Sequence, residues 1–182
     1  MKEFYQDLKQ TIRTIPNFPK AGILFRDITS LLENPLAFNK ALVDLTTLSF
    51  KATKIIGIES RGFVFGAPVA RDLDLPFIMA RKPGKLPGNT HRKEYELEYG
   101  TACLHIQCST DIVPEDKVVI IDDLIATGGT ALACADLVHE HFAVPKNNIT
   151  VLAIIDLTDL GGFAKIVEQG YNAGALIEFE GG

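Results

Sequence analysis

The 182-residue chain is poor in cysteine, has no long apolar run and carries little net charge. Its three cysteines, Cys103, Cys108 and Cys134, are odd in number and include no CxxC pair. That argues against a disulfide framework and for a reducing, cytosolic compartment. They read as small buried hydrophobes rather than as zinc ligands or a catalytic thiol. His139 and His141 stand two apart, so on a helix they face different ways and cannot share a metal. No apolar stretch approaches the ~20 residues of a membrane span, and Met1-Lys2-Glu3-Phe4-Tyr5-Gln6-Asp7 does not read as a signal peptide. A net charge of -5 and a pI near 5.4 speak against a general nucleic-acid coat. Neither internal repeats nor low-complexity tracts occur.

What is present is an ordinary globular composition, 47% hydrophobic and 23% charged, too apolar for a disordered chain. The length suits one domain. Leu8, Ile12 and Ile15 form a weak helical stripe ending at Pro16, and the stretch from Ile15 to Gly22, with two prolines and a glycine, reads as irregular. Asn34-Pro35 is a cap followed by a first helical residue, for a helix running to about Phe50. Apolar runs at Lys54–Ile58, Pro76–Ala80, Lys117–Ile121, Ile149–Ile155 and Ala175–Phe179 then alternate with helical patterns at Phe63–Leu73, Thr130–Phe142 and after Gly161-Gly162. Glu94 to Gln107 reads as a hairpin turning near Gly100. Strands that are apolar throughout and separated by helices imply an α/β fold, a parallel sheet covered on both faces. Ligands of such sheets sit at the carboxyl ends of the strands.

The segment Val118-Val119-Ile120-Ile121-Asp122-Asp123-Leu124-Ile125-Ala126-Thr127-Gly128-Gly129-Thr130 is the most informative. An apolar strand delivers two acids, and then Thr-Gly-Gly-Thr opens a helix. Glycines let backbone N–H groups converge beside a helix N-terminus, and the Thr127 and Thr130 hydroxyls add donors, which makes a phosphate cradle. It lacks the lysine of a Walker A loop and the spacing of a dinucleotide fingerprint. Two carboxylates beside a phosphate repel it unless the ligand also brings hydroxyl donors or a divalent cation. A phosphate, a diol and a magnesium-bound diphosphate together describe phosphoribosyl pyrophosphate.

Two further segments fit a polyanion. Ser60-Arg61-Gly62 puts a small residue, a cation and a glycine at a strand end. Arg81 to Lys93 holds five Lys or Arg and no acid, a local +5 that leaves the rest of the chain at -10. Charge alone would suit a solvated loop equally well; beside a phosphate site the segment reads as a basic lid.

With these motifs in one order, the chain resembles the type I phosphoribosyltransferase family, and within it the adenine-using members. The likeness runs from Phe18-Pro19-Lys20-Ala21-Gly22-Ile23-Leu24-Phe25-Arg26-Asp27 through the 122–130 segment; the last thirty residues carry no diagnostic motif. The resemblance implies one domain over residues 1–182, its twisted parallel sheet supplemented by a small N-terminal hood for the base (1–33) and a flexible lid hairpin (81–100). It implies that Asp122 and Asp123 hold the ribose and that Ala126, Thr127, Gly128, Gly129 and Thr130 hold the 5-phosphate. Ser60, Arg61, Arg81, Lys82 and Lys85 would meet the pyrophosphate, with Arg61 also catalytic. Leu24 and Arg26 would read adenine through backbone groups, with Phe25 and Leu124 on its two faces. Glu98 would lie near the base and share in its proton transfer, and Tyr99 belongs to the lid. Magnesium would arrive on the substrate diphosphate near Asp122 and Asp123, with no direct protein ligand.

The reaction so implied is adenine plus phosphoribosyl pyrophosphate giving AMP and pyrophosphate, a purine-salvage step in the cytoplasm, in a homodimer with no nucleic-acid or membrane partner. A relative acting on a 6-oxopurine would want a lysine after the phosphate loop, and none follows until Lys146. A DNA-binding regulator of this fold would need an extra basic domain, for which an acidic chain of this length has no room.

Overall fold

The structure is a computed structural model that describes residues 8–96 and 100–180. Residues 8–11 are helical, but the stripe containing Leu8 and Ile12 does not continue to Pro16. Arg13–Pro16 is instead a strand (β1) paired antiparallel with Leu24–Asp27 (β2), Ile15 opposite Phe25. Pro19 and Gly22 between them turn the chain back on itself, so a stretch that reads as irregular is the bend of a hairpin. Thr29–Leu32 (α1) leads to Pro35–Leu48 (α2), whose first turn is capped as the sequence indicates: Leu36 N–H and Ala37 N–H donate to Asn34 Oδ1, each at 3.2 Å.

The remaining elements build an α/β unit. Lys54–Ile58 (β3), Arg61–Asp72 (α3), Phe77–Ala80 (β4), Val118–Ile125 (β7), Gly129–Phe142 (α4), Ile149–Leu157 (β8), Gly162–Glu168 (α5) and Asn172–Phe179 (β9) follow in chain order, with Thr90–Glu96 (β5) and Thr101–Gln107 (β6) inserted after β4. Strands β4-β3-β7-β8-β9 lie side by side, all parallel. Successive strand residues point to opposite faces, so each central strand feeds two cores. Ile120, fully buried, joins Leu137, Val138 and Ile166 on the α4–α5 face, while Ile121, fully buried too, joins Phe65, Val69 and Leu45 on the α2–α3 face. Burying one such side chain contributes about 2 kcal/mol, which is why residues 118–121 of β7 and 151–155 of β8 are apolar without a break.

β5 and β6 form an antiparallel hairpin apart from the main sheet. The basic segment 81–93 therefore runs into strand, since Thr90 to Lys93 belong to β5. Their outward residues are charged because that face meets water. The inward face lies on α4: the His91 ring stacks on His141 with centroids 4.4 Å apart, and Lys93 donates to Glu140. Of the cysteines, Cys134 is buried as expected, whereas Cys103 is half-buried and Cys108 exposed. No helix among the described residues is long and apolar enough to cross a membrane.

Candidate active site

A cavity of 490 Å³ opens at the carboxyl ends of β3 and β7, where a parallel sheet presents strand-to-helix loops to a ligand. Gly62 is the reason the two loops meet. A Cβ there would lie 2.4 Å from the Ile121 carbonyl oxygen, so only glycine lets the first turn of α3 rest on β7. That approach carries Arg61 to Asp123, Nε to Oδ2 at 3.0 Å. The arginine is half exposed toward the cavity, whereas the Asp123 side chain is 3% exposed. The contact lacks hydrogen-bond geometry, and Oδ2 has no hydrogen-bond donor among the described residues.

β7 runs four residues past its apolar run, to Ile125, so both acids stand on the strand rather than in the loop after it. They face opposite sides. Asp123 turns to α3 and Arg61, while Asp122 turns to α4, where burial, and then the Asp122 charge, push the Cys134 thiol far up. Asp122 Oδ1 accepts from Asp123 N–H at 2.9 Å. Burial, and then the neighbouring Asp123 charge, hold the Asp122 carboxyl well above the ordinary carboxylate range. Burial raises Asp123 also, against the pull of Arg61. A carboxyl pair so placed is short of hydrogen-bond donors, and sugar hydroxyls or a cation would supply what it lacks.

The loop after β7 closes the far wall with Thr127, Gly128, Gly129 and Thr130. Gly128 adopts φ +78°, a left-handed conformation in which a side chain is strained, and its carbonyl accepts from Leu132 N–H at 2.9 Å to begin α4. The first N–H groups of a 14-residue helix thus point into the cavity wall with the positive end of its dipole.

Ser60, Arg61, Lys82, Asp122, Asp123, Leu124 and residues 126–130 therefore share one cavity. Of the described residues, Leu24, Phe25, Arg26, Arg81 and Lys85 stand outside its wall. Phe25 borders it, with the Arg61 guanidinium 5.9 Å from the ring centroid. Arg26 is buried, and its guanidinium donates to Thr14 Oγ1 (2.6 Å) and the Glu180 carbonyl (2.8 Å) while lying over Phe179. That leaves only its backbone for a base, tying β2 to the end of β9. Arg81 is turned to Glu59, with Nη2 3.0 Å from Oε1 and Nε 3.3 Å from Oε2. Lys85 presents its carbonyl to Arg81 Nη1. Glu98 and Tyr99 lie outside the described residues. The sequence reading passed over Glu59, and over Tyr95, Ala102 and Leu104, which the hairpin contributes to the wall; the alternation of residues 94–107 marks the inward positions, but not what they face.

The family model described as "Phosphoribosyl transferase domain" matches residues 27–152. The adenine phosphoribosyltransferase of Yersinia enterocolitica is 49% identical over 96% of this chain and 92% of its own length. The chain belongs to the adenine phosphoribosyltransferase family. Among solved structures, the adenine phosphoribosyltransferase of Thermoanaerobacter pseudethanolicus superposes with a TM-score of 0.87 at 42% identity, covering 96% of this chain and 99% of that one. The Giardia lamblia APRTase, solved with 9-deazaadenine, gives 0.89 at 33% identity, covering 96% and 97%. These likenesses reach past the 122–130 segment of this phosphoribosyltransferase to its last strand, where the sequence alone shows no motif.

Proposed function

We propose that the cavity binds phosphoribosyl pyrophosphate, with its 5-phosphate on residues 126–130, its ribose hydroxyls on Asp122 and Asp123, and its diphosphate toward Ser60, Arg61 and Lys82. As a family member the chain transfers the 5-phosphoribosyl group to adenine, giving AMP and pyrophosphate in purine salvage. One observation supports the placement above all: a helix N-terminus, a buried and a half-buried carboxyl and an arginine line the same 490 Å³ space.

The chemistry follows from that arrangement. The bond between the anomeric carbon and the diphosphate oxygen breaks as a ring nitrogen of adenine attacks, and the base gives up its proton. Positive charge develops on the sugar and negative charge on the leaving group. Arg61 and Lys82 stabilise the departing diphosphate. Asp122 and Asp123, once ionised, accept from the hydroxyls and favour the cationic sugar. The phosphate loop anchors a distant part of the substrate and so orients the reacting carbon. Among the described residues no group of three or more His, Cys, Asp or Glu could hold a metal by itself. Asp123 Oδ2 receives no hydrogen bond and has only the Arg61 guanidinium 3.0 Å away; a magnesium ion brought by the substrate near Asp122 and Asp123 would neutralise diphosphate charge. Leu24, Phe25, Arg26 and Leu124 fit the base, with residues 1–33 as hood and 81–100 as lid. Arg81 and Lys85 are assigned to the closed lid, and Glu98 to proton transfer. We assign the chain to the cytoplasm and to a homodimer, which sedimentation at assay concentration tests.

The deciding assay supplies phosphoribosyl pyrophosphate, magnesium and one of five nucleobases, and reads pyrophosphate release. Adenine should be turned over and hypoxanthine, guanine and uracil far more slowly. Equal turnover of hypoxanthine overturns the base assignment, and no calorimetric heat with phosphoribosyl pyrophosphate overturns the site.

A further inference from the structure

The phosphate loop is held from behind by a residue in a part of the chain that carries no motif. Gly162, the first residue of α5, is buried against it. A Cβ on Gly162 would lie 2.2 Å from the Ala126 carbonyl oxygen, 2.5 Å from the Gly128 nitrogen and 2.7 Å from the Thr127 carbonyl carbon. The contact is reciprocal, since a Cβ on Gly128 would lie 2.8 Å from the Gly162 carbonyl oxygen. All of these are backbone atoms, which cannot swing aside as a long side chain can. The helix behind cannot retreat either, because Ile166 is fully buried in the core and Phe163 packs on the same cluster.

We infer that Gly162 is a positioning residue for the 5-phosphate: it fixes where the 126–128 backbone stands, and with it the start of α4 that lines the cavity. Any side chain at 162 pushes that loop toward the cavity or α5 out of the core. The inference rests on the phosphate-loop reading above. Gly161 gives an internal comparison. It has φ +66° and nothing within 4 Å of its Cβ position, so alanine there strains the backbone without touching the loop.

The experiment titrates ribose 5-phosphate into wild type, Gly161→Ala and Gly162→Ala, with thermal unfolding and steady-state kinetics in parallel. Wild type should bind. Gly161→Ala should lose unfolding temperature yet keep ribose 5-phosphate affinity within about twofold. Gly162→Ala should lose affinity at least tenfold and raise KM for phosphoribosyl pyrophosphate to match, with KM for adenine unchanged. Ile166→Ala serves as a second variant should Gly162→Ala not fold: it keeps Gly162 but loosens the helix behind it, and should weaken ribose 5-phosphate binding without altering KM for adenine. Unchanged affinity in Gly162→Ala, equal loss in Gly161→Ala, or intact affinity in a destabilised Ile166→Ala overturns the inference alone. Failure of wild type to bind overturns the phosphate-site reading with it.

Discussion

Glu59 holds Arg81 and the chain that follows it: its carboxylate accepts from Arg81 Nη2 at 3.0 Å and Nε at 3.3 Å, and from the Lys82 backbone N–H at 2.9 Å. The Arg81 hydrogen bond is the main reason that the Glu59 carboxyl titrates below its ordinary value. The end of β3 thereby leads into both the Ser60-Arg61 turn and the root of the basic segment, and Lys82 enters the cavity wall because its backbone is pinned. Arg81 and His105 add a second tie, exchanging backbone hydrogen bonds at 2.9 and 2.8 Å.

Glu59→Gln keeps an acceptor for Lys82 N–H but gives up the ion pair with Arg81, and Glu59→Ala gives up both. A charge-assisted hydrogen bond is worth about 1.5–3 kcal/mol where buried and less where half exposed, as here. We expect KM for phosphoribosyl pyrophosphate to rise about threefold in the first variant and about tenfold in the second. KM for adenine should not move. An alanine variant with wild-type KM for the diphosphate substrate would show that the clasp does not position Lys82.

Asn34 separates stability from activity. Its side chain satisfies two N–H groups at the start of α2, and losing such a cap costs about 1 kcal/mol. In a chain of this size that lowers the unfolding temperature by roughly 2–4 °C. Asn34→Ala should show this shift in calorimetry with kcat unchanged at 25 °C; a fall in kcat would mean that the α2 start is coupled to the cavity.

The order of apolar strands and helices was legible in the sequence because Ile120 and its neighbours are buried on both sides of the sheet, leaving runs without alternation. The acids and TGGT were legible for a local reason, since a strand end, a glycine turn and a helix start are consecutive. Four features were not. Ile15 meets Phe25 only after the intervening prolines turn the chain, so β1 and β2 read as a helix end and a loop. Thr90 to Lys93 put Arg92 toward water and Lys93 toward Glu140 of α4, and charge on both sides masked the strand. Arg81 reads as a lid cation by composition, but the structure places its guanidinium on Glu59. Gly162 touches the phosphate loop across more than thirty residues of sequence, a contact that no local pattern encodes.

The hairpin's seat on α4 should depend on pH. Burial, and then the facing His141, hold the His91 imidazole below its ordinary 6.5. The folded state thus resists a proton that the unfolded chain accepts. The contribution is fully present above 6.5 and lost as pH falls below it. Unfolding temperature should therefore fall between about pH 7.5 and 5.5, and His91→Asn should flatten that slope. An identical slope in the variant would place the sensitivity elsewhere.

Asp122 should trade stability against function. Its carboxyl is raised chiefly by burial and next by Asp123, so the folded state binds the proton more readily than the unfolded chain. That preference favours folding at acid pH and fades as pH rises through the folded value, above which the carboxylate is charged and poorly solvated. Asn has no such charge. Asp122→Asn should therefore unfold at a higher temperature than wild type in the absence of ligands, by a margin that widens from about pH 5 to about pH 8. Its turnover with adenine should fall roughly 100-fold or more, because the sugar loses the anionic partner that stabilises its developing positive charge. Ribose 5-phosphate should still bind, since residues 126–130 are intact. A variant both less stable and unable to bind it would mean that the Asp122 carboxylate supports the fold rather than the reacting sugar.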